Sequence, residues 1–249
     1  MDLHGFETAS EQLAPEVEGT QAGSVSERAG PVGKYGSSGL ISTFLVPGSP
    51  PTEIVLRHRN REVEPPDSSL LRVMGAAVWP AAVVSLPLIA NDPCLRARAA
   101  RGGSILELGA GHGLSGLACA LLPGWQRVVI TDKSSPLVEL ISDNIARNLA
   151  KLPAPLRVLG AVRAAHLVWG HSASLTAARA AAASDTGYDL ILAAGCTYSP
   201  PLLAPFFDSI AALLAPDGQR RAVHRAPCAA YRTSCVLRSA LFERSGRWV

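Results

Sequence analysis

The sequence lacks the long apolar runs that membrane-spanning helices require. None of its uncharged apolar stretches reaches about 18 residues, so we expect no membrane span. The first residues carry acids at Asp2 and Glu7 and no continuous apolar core, so we expect no secretory signal peptide. The five cysteines stand singly without a CxxC pair, which argues against zinc ribbons and disulfide scaffolds. We therefore expect a reducing compartment and no bound metal.

Strong charge of either sign is also absent. The net charge of +3 is too small to indicate a nucleic-acid partner. Seven arginines between Arg220 and Arg247 make this end of the sequence basic, and we interpret them as a solvated face, with an acidic protein partner as the alternative. A hydrophobic content of 48% can build one sizeable core. Residues 1–38 are rich in Gly, Ser, Glu and Ala and are predicted to form a disordered tail, which leaves residues 39–249 as the folded domain.

Two strands and a helix are predicted ahead of the most informative segment. Leu40–Val46 and Glu53–Arg59 have the composition of short strands and are joined across a turn rich in proline and glycine. Pro80 begins a helix well because the first turn needs no N–H there, although Pro87 is expected to bend or interrupt it. Trp79 lies just before this helix, and by itself it would be interpreted as a core anchor.

The segment from Ser104 to Leu122 is predicted to fold as a strand, a tight turn and a helix. Its turn carries an E-x-G-x-G-x-G pattern, formed by Glu107, Gly109, Gly111 and Gly113. Glycines let the backbone turn sharply and let a ligand approach without meeting a side chain. A dinucleotide fingerprint would need a third glycine where Leu114 stands, so that class of ligand fits less well. The alternative interpretation of this glycine pattern is a turn between a strand and a helix that binds no ligand.

A second strand, Arg127–Asp132, ends in an acid. The two carboxylate oxygens of Asp132 can accept both ribose hydroxyls of a nucleoside held over the glycine turn. The alternative is an acid that caps the next helix, predicted over Pro136–Asn148 from the spacing of its apolar residues. Asp132 thus favours a nucleoside ligand without specifying the chemistry.

The rest of the chain continues the alternation of strands and helices. Strands are predicted at Val162–Gly170, Tyr188–Ala194 and Arg220–Ala226, and helices at Pro200–Leu214 and Tyr231–Glu243. The Ala/Ser-rich residues 171–187 read as an insertion with helical character. This alternation is typical of an α/β fold.

Five segments between Gly75 and Gly218 occur in an order that resembles the Rossmann-like S-adenosylmethionine-dependent methyltransferases. They are G-x-x-x-W-P-A-A, E-x-G-x-G-x-G, T-D, L-x-W-G and A-x-x-x-Y. The resemblance is to the branch of protein-lysine methyltransferases that modify elongation factors and chaperones. It implies a central, mostly parallel sheet with helices on both faces, with the C-terminal strands curtailed or shortened. Asn144 and Asn148 match an N-x-x-x-N pattern often seen in that family.

The same resemblance implies which residues contact S-adenosylmethionine. The cofactor-binding set is Trp79, Glu107, Gly109, Ala110, Gly111, Gly113, Asp132, Trp169 and Ala194. Glu107 is expected close to the methionine moiety or in support of the glycine turn. Tyr198 is expected to border the acceptor lysine as the residue on the catalytic side. Gly195 stands where the family has an aspartate, which puts catalytic competence or substrate class in doubt.

These observations favour a methyltransferase that uses S-adenosylmethionine and transfers a methyl group to a lysine of a protein substrate. Two alternatives stay open. One is a small-molecule N-methyltransferase on the same fold, and the other is a catalytically impaired relative that binds cofactor or partner. We expect a monomer in the cytoplasm, with the nucleus as a second location, and no nucleic-acid partner.

Overall fold

The computed structural model describes residues 25–29, 40–58, 78–157, 160–182, 185–215, 221–225 and 239–242. Two β-sheets occur within this part of the chain, one of three strands and one of six. The three-stranded sheet is antiparallel and consists of β1 (Val25–Ala29), β2 (Leu40–Val46) and β3 (Thr52–Arg57). The strands predicted over Leu40–Val46 and Glu53–Arg59 are therefore confirmed, with small differences at the ends of the second.

The six-stranded sheet is mostly parallel, as predicted. Its strands are β4 (Ser104–Glu107), β5 (Arg127–Asp132), β6 (Val162–His166), β7 (Leu190–Ala194), β8 (Arg221–Arg225) and β9 (Ser239–Phe242). They lie in the order β6-β5-β4-β7-β8-β9, and the β8–β9 pair alone is antiparallel among them. The chain runs outward from β4 to β6 and then returns to the other side of β4. This reversal between β4 and β7 is the position at which open α/β sheets bind ligands.

Helices cover both faces of the large sheet. They are α1 (Pro80–Asn91), α2 (Pro93–Ala100), α3 (Leu114–Ala120), α4 (Ser135–Asn148), α5 (Ser172–Ala180) and α6 (Pro200–Leu213). Strand side chains alternate between two apolar clusters, so that Ile105 belongs to one and Leu106 to the other. The first cluster includes residues of α1, α3 and α4 such as Leu117 and Ile141, and the second includes Phe206 of α6. The near-continuous apolar strands are thus buried on both faces.

Most predicted helices agree with the structure. The helix α1 begins at Pro80 and continues through Pro87 to Asn91, so the proline does not interrupt it. The helix α4 buries the predicted apolar stripe and extends one residue further toward the N-terminus than predicted. Within the described residues, no helix has both the length and the apolar character needed to cross a bilayer.

Two predictions require correction. Residues 1–38 were predicted to be a disordered tail, but Val25–Ala29 forms a strand paired with β2. Composition does not reveal this pairing because the hydrogen bonds come from a partner strand further along the chain. A helix was predicted over Tyr231–Glu243, but Ser239–Phe242 is strand β9 at the edge of the sheet. The short apolar run is compatible with both the helical and the strand periodicity, and pairing with β8 stabilises the strand. Residues 231–238 and 243 lie outside the described residues.

Candidate functional site

A cavity of about 260 Å³ opens at the carboxyl ends of β4 and β7. Its wall is formed by the loops that follow β4, β5, β6 and β7 and by the start of α1. The lining residues are Val78, Trp79, Ala82, Glu107, Gly109, Ala110, Gly111, His112, Leu114, Asp132, Lys133, Ser134, Leu137, Val168, Trp169, Ala194, Gly195, Cys196, Thr197, Tyr198 and Leu202. The cavity therefore lies at the reversal in strand order.

Residues 108–113, which join β4 to α3 and are called the glycine loop below, form the floor of this cavity. Gly109 and Gly111 have φ angles of 61° and 58°, a region that side-chain-bearing residues rarely adopt. A Cβ at position 109 would lie 2.9 Å from Cys196 Sγ and 3.0 Å from Trp169 Cζ2. A Cβ at position 111 would meet no atom within 4 Å. The loop at Gly111 therefore presents bare backbone to open space, as a closely approaching ligand requires.

Glu107 lies at the end of β4 with its carboxylate buried beneath the loop. Its Oε2 accepts a hydrogen bond from the backbone N–H of Gly116 in α3 at 2.9 Å. Burial raises the pKa of Glu107 from 4.5 to about 8, because the charged form loses its hydration. The Gly116 N–H opposes this rise, and the negative charge of Asp132 adds to it. A cation placed in the cavity would favour the ionised form of this carboxyl.

Asp132 ends β5 and joins the glycine loop to the start of α4. Its Oδ2 accepts from the N–H of Gly111 at 3.0 Å, and its Oδ1 accepts from the N–H of Ser134 at 3.0 Å. Burial raises the pKa of Asp132, while these backbone donors and the Lys133 ammonium hold it down. Each carboxylate oxygen can accept a further hydrogen bond. The bond from the Ser134 N–H is the contact expected of an acid that caps the next helix. Both carboxylate oxygens of Asp132 can nevertheless accept a hydrogen bond from a ligand.

Two tryptophans flank the cavity from different elements. Trp79 occupies the N-cap position of α1 and is 44% exposed. Trp169 follows β6 and packs edge-on against Phe206 of α6, with ring centroids 4.9 Å apart. Its six-membered ring lies close to Gly109. Neither tryptophan is fully buried, so both keep indole surface that a planar ligand can contact.

The loop after β7 forms the outer end of the cavity. Gly195 has a φ of 74°, and the thiol of Cys196 donates to the Leu108 carbonyl at 3.2 Å. Tyr198 is 43% exposed at the mouth, and partial burial raises the pKa of its phenol. Glu107 and Asp132 are the carboxylates among the described lining residues, and both lie deep in the cavity. The outer end is therefore apolar apart from hydroxyl and thiol groups.

The structure brings together all but one of the predicted site residues. Gly113 does not line the cavity; it is the N-cap of α3, with a φ of 81°, and packs near Ile130 and Ile141. Sequence reasoning missed several lining residues: Val78, Ala82, His112, Leu114, Lys133, Ser134, Leu137, Val168, Thr197 and Leu202. Most are immediate neighbours of motif residues, and that adjacency was the available signal. Cys196 is both buried and part of the wall.

The fold and this cavity define a Rossmann-like α/β protein whose candidate ligand site lies at the switch in strand order. A family model described as lysine methyltransferase matches residues 67–228, which is more than half of the chain. The chain belongs to the lysine methyltransferase family. In the described residues, no group of three or more His, Cys, Asp or Glu side chains could hold a metal ion.

Curated and solved relatives are similar over parts of the chain. The protein N-lysine methyltransferase METTL21A of Danio rerio is 34% identical over 125 residues, which cover 50% of this chain and 49% of that protein. The chain thus spans about half the length of this curated relative. A hypothetical protein of Thermus thermophilus is 23% identical, with a TM-score of 0.43, over 71% of this chain and 82% of that one. A putative S-adenosyl-L-methionine-dependent methyltransferase of Methanococcus maripaludis is 18% identical, with a TM-score of 0.37, over 57% and 58%.

Proposed function

We propose that this chain binds S-adenosylmethionine and transfers its methyl group to a lysine side chain of a protein substrate. The observation that carries the proposal is the pairing of two buried carboxylates, Glu107 and Asp132, with bare backbone at Gly111 in one cavity. Membership in the lysine methyltransferase family and the named activity of the Danio rerio relative support the same reaction.

The residues present fit the proposed cofactor. S-adenosylmethionine carries an ammonium, a sulfonium and a ribose with two hydroxyls. Buried carboxylates complement cations and accept hydrogen bonds from hydroxyl groups. Asp132, which keeps acceptor capacity on both oxygens, would hold the ribose. The indoles of Trp79 and Trp169 would contact the adenine, and the open space above Gly111 would admit the ligand close to the backbone.

When bound, the cofactor supplies an activated methyl on a cationic sulfur. The chain must then align a nucleophile with that methyl and exclude water. A free lysine has a pKa near 10.4, so an acceptor lysine must first lose its proton. The mouth is lined by Trp79, Val168 and Tyr198, and such a surface disfavours the charged amine by desolvating it. No lining residue is assigned as a general base, and bulk water takes the proton before alignment.

A second candidate is a catalytically impaired relative that binds cofactor or partner. Gly195 favours it, because the outer end of the cavity then lacks the side-chain carboxylate that could orient an incoming amine. Calorimetric titration with S-adenosylmethionine tests binding, with Asp132→Ala as the variant expected to lose affinity. If the folded wild-type protein gave no heat of binding, neither candidate could be a protein that binds this cofactor.

Transfer of labelled methyl from the cofactor into a whole-cell extract tests the reaction itself. Label that appears in a discrete protein band, and is weaker when the Asp132→Ala variant replaces the wild type at the same cofactor concentration, supports protein methylation. Label in small molecules alone would favour the small-molecule N-methyltransferase, and cofactor binding without any transfer would favour the impaired relative. We also propose that the protein is a monomer and that it is located in the cytoplasm, with the nucleus as a second location. The single spacing of its cysteines, without a CxxC pair, supports a reducing compartment.

A further inference from the structure

Two asparagines of α4 bind the edge of β3 as a neighbouring strand would. Asn148 Oδ1 accepts from the N–H of Val55 at 2.9 Å, and its Nδ2 donates to the Val55 carbonyl at 2.8 Å. Asn144 does the same at Arg57, accepting at 2.7 Å and donating at 3.3 Å. A primary amide offers the donor and acceptor of a peptide group, so each side chain completes one rung of the sheet.

The spacing of helix and strand makes this match physically reasonable. Residues four apart on a helix lie on one face about 6 Å apart along its axis. Alternate residues of a strand lie about 6.6 Å apart, and in an antiparallel pair alternate residues turn their N–H and C=O away from the partner. Asn144 and Asn148 therefore lie beside Arg57 and Val55. Their amides supply the hydrogen-bond partners that the backbone at this edge of β3 would otherwise lack, since the edge packs against α4.

Asn144 makes one contact that Asn148 does not. Its Nδ2 also donates to the carbonyl of His112 at 3.1 Å, within the glycine loop. The neighbouring residue Gly111 donates its N–H to Asp132 at 3.0 Å. Both ring nitrogens of His112 are buried without a hydrogen-bond partner, so its side chain offers no alternative polar anchor for the loop.

We propose that Asn144 is a positioning residue for the cofactor site. By holding the His112 carbonyl, it keeps the glycine loop in the conformation in which the Gly111 N–H meets Asp132. It also makes the three-stranded N-terminal sheet part of the scaffold of the site, because the same amide binds Arg57 of β3. A test of this role by ligand binding rests on the proposed function, whereas a test by amide hydrogen exchange of the free protein does not.

The matched pair Asn144→Ala and Asn148→Ala tests this assignment. Each variant loses the two bonds to β3 plus one further donated bond, to His112 in one case and to Asn144 in the other. Both should lower the melting temperature to a similar extent. Asn144→Ala should weaken binding of S-adenosylhomocysteine about five- to tenfold, the worth of one buried hydrogen bond. Asn148→Ala should change it less than about twofold.

Amide hydrogen exchange of the protein without ligand gives the second readout. Exchange of the Gly111 N–H, which Asp132 holds, should accelerate in Asn144→Ala and stay at the wild-type rate in Asn148→Ala, measured where both are folded. Equal effects of the two variants on exchange would overturn the assignment. If the alanine variants do not fold, Asn144→Ser and Asn148→Ser replace them, since a hydroxyl is too short to span the same contacts.

The two proposals fail in different ways. If the wild-type protein does not bind S-adenosylhomocysteine, the proposed function fails, while the exchange comparison still decides the role of Asn144. If the wild type binds and the two variants weaken binding equally, the assignment of Asn144 fails alone. His112→Ala serves as a further control: it keeps the carbonyl that Asn144 holds, so its exchange at Gly111 should remain slower than in Asn144→Ala.

Discussion

The carboxylate of Glu107 and the backbone N–H of Gly116 meet at 2.9 Å beneath the glycine loop. A Cβ at position 116 would lie 2.5 Å from the same carboxylate oxygen and 2.8 Å from Ile130 Cγ1. The contact between β4 and α3 therefore depends on glycine in the first turn of α3, a position where alanine is ordinarily the better helix former. Because Glu107 also lines the cavity, this contact links the packing of the sheet to the floor of the site.

We expect Gly116→Ala to destabilise the fold, although alanine is the better helix former. The added methyl must displace Glu107 or Ile130, and overpacking of this kind costs about 1–3 kcal/mol. Urea denaturation of the variant and the wild type measures the difference. Ser142→Ala, on the exposed side of α4, serves as the control and should be near neutral. A Gly116→Ala variant as stable as the wild type would contradict the close packing described here.

The raised pKa of Glu107 predicts a stability that depends on pH. The folded state holds this proton up to a pKa of about 8, whereas the unfolded chain releases it near 4.5. The contribution of Glu107 to the free energy of unfolding should therefore fall as the pH rises between these values, by up to about 1.4 kcal/mol per pH unit. Above the folded pKa it should level off. Denaturant unfolding from pH 5 to 8 measures the slope.

Glu107→Gln removes the titrating group and keeps an oxygen that can accept from Gly116. The slope should become shallower in this variant, and the remaining part reflects other groups such as Asp132, whose pKa is also raised by burial. Glu139→Gln, an exposed acid on α4, should keep the wild-type slope. If Glu107→Gln and the wild type show the same pH dependence, the buried carboxyl does not hold its proton as described.

Local patterns predicted the elements that hold the site. The strand Arg127–Asp132 and the following amphipathic helix were found because their apolar spacing is short-range information. The strand Val25–Ala29 was missed because its own sequence does not indicate that it pairs with β2. For the same reason, no local signal reveals that Asn144 binds Arg57, which lies 87 positions earlier in the chain.

The site itself was predictable only where a motif names the residue. Asp132 ends a strand and Trp169 follows one, each in a recognisable pattern, and both line the cavity. Val168 and Leu202 are ordinary apolar residues in sequence, and only the packing of loops over the sheet brings them to the wall. Gly113 shows the converse: its glycine belongs to the motif, yet its left-handed conformation serves the start of α3.

Asp132→Ala should weaken binding of S-adenosylmethionine by about 1.5–3 kcal/mol, the range for hydrogen bonds to a charged group. The loss combines missing contacts to the ligand with release of the Gly111 N–H that the carboxylate now holds. Calorimetric titration measures the affinity, and thermal unfolding shows whether the fold is retained. Asp208→Ala, an exposed acid on α6, is the control and should leave the affinity unchanged. Unaltered affinity in Asp132→Ala would remove this residue from the site.

Trp79→Ala should weaken cofactor binding with little effect on stability. The side chain is 44% exposed, so its removal leaves only a small cavity in the core. If its ring contacts the adenine, the lost contact is worth about 1–3 kcal/mol by analogy with base stacking. Trp79→Phe keeps an aromatic face and should retain most of the affinity. An equal loss in both variants, or a large drop in melting temperature, would point to a structural role instead.

Gly195→Asp tests whether a missing carboxylate limits turnover at the outer end of the cavity. The φ of 74° at this position favours glycine, and a left-handed conformation costs other residues about 1–2 kcal/mol, with aspartate and asparagine among the most tolerant. Gly195→Asn is the matched control, because it carries the same backbone strain and shape without the charge. Turnover on an identified substrate should rise in Gly195→Asp relative to Gly195→Asn, since a carboxylate can orient an incoming amine. Equal rates in the two variants would show that charge at this position does not limit the reaction.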